Sequence, residues 1–200
     1  MELARSTQIT DTEILAATMQ CIADGGPSPT LADVGARVGL SAPRIYQRFG
    51  TKRELLLRVL ESWSARVAGS FEGEGEPLDR IVAGLTRMTD LMETPRNVAN
   101  ITASLYIYLE DPEFREAIQV GYRGQRAAIA ELLDEAIERG QLKQCDTEAL
   151  ARLLVLTVRG AEHQWAVEPE GELASWVQRY IRDCLAPWVV SDDLLQISPR

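Results

Sequence analysis

An all-α fold is predicted for this chain of 200 residues: a small N-terminal unit of three helices, a connecting helix, and a larger helical domain behind it. Three observations predict it. Thr10-x-x-Glu13, Thr30-x-x-Asp33 and Thr51-x-x-Glu54 each stand ahead of apolar residues at helical spacing. In that pattern an N-cap hydroxyl and a carboxylate three residues on satisfy the orphan amides of a first turn. Thr94-Pro95 and Asp111-Pro112 pair an N-cap with a proline in the first turn, where its missing amide costs nothing. Finally, helix signals recur along the whole length while strand signals do not.

The elements follow in order. Leu15, Met19 and Ile22 share a face of the first helix, Leu31, Val34 and Val38 of the second, and Leu55, Val59, Trp63 and Val67 of the connecting helix. Gly25-Gly26 and Gly39 close the first two, because glycine adopts the left-handed C-terminal conformation without strain. Between Gly39 and Thr51 there is room for one short helix, with Ser41 as N-cap, Pro43 in its first turn, and Ile45 and Phe49 facing the core. The stretch EGEGEP after Phe71 reads as a loop between domains. Beyond it, helices are predicted over 77–92, 94–109, 111–140, 146–166 and 172–189.

Composition narrows the function classes. Hydrophobic residues make up 46% of the chain, enough for a packed core, and no run approaches the roughly 18 apolar residues of a membrane span. The start, MELARSTQIT, lacks the apolar stretch of a secretory signal. Three scattered cysteines without a CxxC suggest neither a disulfide framework nor a zinc site, so a cytoplasmic protein is expected. Net charge is −9, yet residues 30–60 carry six basic against two acidic side chains, a positive patch on an acidic body.

That patch falls on GLSAPRIYQRFGTKRELL, residues 39–56. Helix, tight turn, then a short polar-faced helix is the helix-turn-helix arrangement, whose second helix enters the major groove of DNA. The segment TLADVGARVGLSAPRIYQRFGTKRELL resembles the amino-terminal DNA-binding region of the tetracycline-repressor (TetR) family of bacterial regulators. Thr30, Val34, Ala36, Gly39-Leu40-Ser41, Ile45-Tyr46, Phe49, Lys52, Glu54 and Leu55 carry the resemblance. Two positions depart from its commonest pattern: Gly35, where alanine is more usual, and Arg48, where histidine or tyrosine is frequent.

The resemblance implies a helix-turn-helix domain over 1–50, and over 51–200 a connecting helix with a C-terminal ligand-binding and dimerisation domain. The expected DNA contacts are Thr30, Ser41, Ala42, Pro43, Arg44, Tyr46, Gln47, Arg48 and Lys52. Arginine can grip guanine and glutamine adenine bidentately, which gives Arg44 and Gln47 a chemical reason to be there. Lys52, at a helix start whose dipole favours anions, suits a phosphate. The partner expected is double-stranded DNA with a pseudo-palindromic operator, read by a homodimer.

The last two long helices carry apolar residues over an arc too broad for one buried stripe. The family pairs through these helices as a four-helix bundle, so Leu153, Thr157, Trp176, Tyr180 and Cys184 are expected at a dimer interface. For a small-molecule ligand, Met88, Met92, Tyr106, Tyr122, His163 and Trp165 are the candidates, methionine adapting to shape while tyrosine and histidine supply polar handles. Core packing is the competing explanation for each.

Enzyme chemistry finds little support. His163 is the only histidine, no GxSxG, P-loop or GxGxxG occurs, and no cofactor or metal is expected. The expectation is thus a ligand-responsive transcriptional regulator, most often a repressor in this family. The alternative is an all-helical ligand-binding protein that no longer reads DNA.

Overall fold

A computed structural model describes residues 9–191. Among them are nine α-helices: α1 Asp11–Gly25, α2 Leu31–Val38, α3 Ala42–Phe49, α4 Lys52–Gly69, α5 Pro77–Thr86, α6 Pro95–Tyr106, α7 Pro112–Glu138, α8 Thr147–Val167 and α9 Leu173–Leu185. A 3-10 turn, Arg87–Thr89, follows α5. The helix predicted over 77–92 therefore ends early, and Met88 and Met92 lie beyond the regular helix.

The capping boxes at Thr10, Thr30 and Thr51 form as the spacing dictates, each threonine hydroxyl accepting the amide of the carboxylate residue three positions on. Thr94 and Asn97 make a fourth. Gly39 turns left-handed at φ 70°, and the chain enters α3 through Ser41. Gly35 finds its reason here: a Cβ on it would stand 2.4 Å from the Leu40 carbonyl oxygen, so glycine lets the turn fold back onto α2.

Two apolar cores result. Ile14, Val34, Ile45 and Leu55 are fully buried together in the N-terminal unit, with Leu15, Val38 and Phe49 packed around them. Ile14, rather than Leu15 or Met19, is the buried centre of α1. The larger core joins α4 to α5–α9 through Leu56, Leu60, Phe114, Ile129, Leu133, Leu154 and Ile181. Successive leucines of α4 thus enter different cores: Leu55 the small one, Leu56 the large one. Where α4 crosses α7, Gly121 leaves room for Ser64, whose hydroxyl oxygen would be 2.6 Å from a Cβ at that position.

Candidate functional site

The α3 surface is built by its spacing. Ile45 is buried and Phe49 half-buried, which turns Pro43, Arg44, Tyr46 and Gln47 to solvent. Tyr46 is 56% exposed, and among the described residues no ion pair or side-chain hydrogen bond engages Arg44 or Gln47. The hydroxyl of Ser41 makes no capping bond, and Ala42 is half-buried at the first helical position. Three of the expected contacts already make bonds within the protein. Arg48 donates to the Ile9 carbonyl and pairs with Asp11, fastening α3 to α1. The Thr30 amide and hydroxyl both donate to Asp33. Lys52 donates to the Ser28 carbonyl at 2.9 Å and to its hydroxyl.

Behind this face lies a cavity of about 410 Å³ among α1, α4, the 3-10 turn, α6, α7 and α8. Its walls are largely apolar: Ile22 from α1, Leu56, Leu60 and Trp63 from α4, Met92, and Ile101 and Leu105 from α6. Arg66, Arg87 and Asp90 are exposed where it opens, and Arg159 reaches it from α8. Arg159 is bound at 2.7 Å to Glu162, a carboxylate only 3% exposed. Burial is the chief influence on Glu162 and pushes its carboxyl up, while the guanidinium pulls it down.

Of the six residues expected around a ligand, Met88 and Met92 line this cavity. The structure puts the others elsewhere. Tyr106 ends α6 at 65% exposure, and His163 faces solvent on α8. Tyr122 stands edge-on to Trp63, and Trp165 is core, its indole N–H donating to the Gly171 carbonyl. The wall residues Trp63, Tyr108, Phe114 and Arg159 escape sequence reasoning, because they sit on four segments that only the fold brings together. One signal was available: Arg159 and Glu162, three apart, interrupt the apolar run of α8.

On α8 and α9 an apolar surface is left uncovered. Leu153, Leu156 and Val167 are exposed, Thr157 is half-buried, and the half-buried Trp176 and Tyr180 lie side by side under Arg179, with Cys184 a turn further on. No helix among the described residues is long and apolar enough to cross a membrane.

A helix-turn-helix with an unengaged polar face, carried on a helical domain that holds an apolar cavity, defines a DNA-binding regulator with a ligand domain. Residues 14–59 match the bacterial regulatory proteins of the tetR family, and residues 72–184 match the tetracyclin repressor-like C-terminal domain. Uncharacterised HTH-type transcriptional regulators of Mycobacterium bovis and Mycobacterium tuberculosis are 25% identical over 157 residues, 77% of this chain and 82% of theirs. Among solved structures, SmeT, the repressor of the Stenotrophomonas maltophilia multidrug efflux pump SmeDEF, has a TM-score of 0.69 at 25% identity, covering 96% of this chain and 97% of that one. SmeT in complex with triclosan has a TM-score of 0.67 at 24% identity, covering 94% of each chain. FadR of Bacillus subtilis, in complex with stearoyl-CoA, shares the fold with a TM-score of 0.68 at 16% identity, covering 88% and 98%. The chain belongs to the TetR family and is a DNA-binding transcriptional regulator.

Proposed function

We propose that the protein is a homodimeric cytoplasmic repressor that leaves a pseudo-palindromic operator when a small molecule fills the cavity. The observation that carries this reading is the shared wall: α1 and α4, which build the DNA-reading unit, also line the cavity. Asn97 and Asn100 of α6 both donate to the Ala23 carbonyl at the end of α1, at 3.0 and 2.8 Å. A ligand seated against Ile101 and Leu105 of α6 therefore pushes on a helix that grips the DNA-reading unit. A domain division at residue 50 fits this, with α4 as the shared lever.

On DNA, Arg44 and Gln47 read base edges, Ala42 and Pro43 touch thymine methyl groups, and Ser41, Tyr46 and Lys52 hold phosphates. Arg48 and Thr30 act instead by fixing α3 on α1 and the first turn of α2. The uncovered α8 and α9 surface pairs two copies, which sets the recognition helices on successive major grooves about 34–36 Å apart.

Footprinting on genomic fragments, followed by a compound screen for release, tests the reading. Protection of two half-sites related by a dyad is the expected result. Binding of a compound with no sequence-specific DNA binding would instead leave the protein a ligand binder that does not read DNA.

A further inference from the structure

At the α8 wall of the cavity, polar groups converge that the protein itself does not satisfy. Gln125 of α7 is 1% exposed, and its amide donates to the Met88 sulfur at 2.9 Å. Arg159 gives one Nη to Glu162 and turns the other toward the same sulfur, 3.8 Å away. A thioether is a weak acceptor. Two strong donors therefore face one poor partner, while Arg159 Nε, Gln125 Oε1 and Glu162 Oε1 are buried with no hydrogen-bond partner. Native interiors rarely leave such groups unmatched.

The idle edge of Arg159 has a known use elsewhere in this chain. Arg53 places its Nε and Nη on the two carboxylate oxygens of Asp111 at 2.8 Å each, and its Nη also takes Glu113. One guanidinium can thus hold two carboxylates at once. In Arg159 the carboxylate of Glu162 occupies one Nη, the Met88 sulfur stands at the other, and Nε is buried with no hydrogen-bond partner. Methionine is unbranched, with three rotatable side-chain bonds, and Met88 stands on the short 3-10 turn.

We propose that Met88 plugs a carboxylate subsite. An apolar ligand ending in a carboxylate displaces the thioether, sets its two oxygens on Nε and Nη of Arg159, and accepts the Gln125 amide. Its body lies along Leu60, Trp63, Met92 and Ile101. The mouth favours the same class, since Arg66 and Arg87 stand there against Asp90 alone. This rests on the cavity being the ligand site.

Calorimetry on the full chain with decanoate, decanol and decylamine tests it. Decanoate binds about tenfold or more tighter than decanol, and decylamine most weakly. Arg159→Lys keeps the charge but loses the fork, so the preference for decanoate over decanol falls about tenfold. Met88→Ala uncovers the edge and raises that preference a few-fold; it carries the test should Arg159→Lys not fold. Equal binding of decanoate and decanol, or a preference untouched by either variant, overturns the carboxylate subsite. If such non-selective binding still releases operator, the ligand-responsive reading stands without it. Binding of none of the three overturns both.

Discussion

The hydroxyls of Tyr108 and Ser28 share a hydrogen bond of 3.2 Å. Tyr108 is a wall of the cavity and stacks on Phe114, while Ser28 lies in the loop before α2 and accepts from Lys52. Two bonds therefore separate the cavity from the ammonium proposed to hold a phosphate. Tyr108→Phe and Ser28→Ala should each weaken operator binding by about 0.5–1.5 kcal/mol per half-site. If the pair acts as one link, the double variant loses less than the sum, which a double-mutant cycle on operator affinity measures. Fully additive losses would mean that nothing passes between cavity and Lys52 by this route.

Arg44 and Lys52 should differ in kind. Arg44→Ala costs about 1–3 kcal/mol per half-site and relaxes preference at one base pair. Lys52→Ala weakens all sequences alike and lowers the salt slope by about one per subunit. Affinity titrations at several salt concentrations, with single-base operator variants, separate the two. With a net charge of −9 on the chain, nonspecific binding should be poor throughout.

The α8 and α9 surface should make the dimer. Leu156 is 62% exposed in the single chain, so Leu156→Asp disturbs no core contact yet places a charge in the interface. Trp176→Asp removes an aromatic anchor, an exchange that typically costs 2 kcal/mol or about that at such positions. Sedimentation equilibrium should show a dimer for the unmodified chain and monomer for both variants. A monomeric unmodified chain would remove this surface from the proposal.

The α4 and α7 crossing should tolerate no bulk. Gly121→Val brings atoms against Ser64 and the Trp63 ring, where a Cβ alone already comes within 2.6 and 3.0 Å. A loss of about 1–3 kcal/mol in urea unfolding is expected. Gly124→Ala, one turn away, meets only Ala68 at 4.0 Å and should gain roughly 0.5–1 kcal/mol.

Acid should loosen the N-terminal unit first. Glu13, Asp33 and Glu54 accept the backbone amides of their capping threonines, which above all holds these carboxyls below the ordinary range, with the threonine hydroxyls adding to it. A lowered folded pKa means stabilisation that is complete above the unfolded pKa and lost as pH falls through the folded one. Amide hydrogen exchange of α1 and α2 should therefore quicken from about pH 4 downward, before that of α8. Replacing Thr10, Thr30 and Thr51 by alanine should flatten that difference.

What the sequence determined by itself was local. Capping pairs three residues apart, prolines in first turns and Gly39 are read within one helical turn, so the element order was legible along the chain and the polar face of α3 from 39–56. The departures at Gly35 and Arg48 were visible but unexplained, since their partners are Leu40 across a turn and, far off in sequence, Ile9 just before α1 and Asp11 in its first turn. Only the tertiary structure decided which residues line the cavity. Periodicity marks a face as apolar but does not say whether another helix or a void covers it. Tyr106 and His163 therefore fall outside, while Tyr108, Phe114 and Arg159, from α7, α8 and the loop after α6, meet around one space. Their convergence comes from helix packing across dozens of residues, and no spacing within a single segment encodes that.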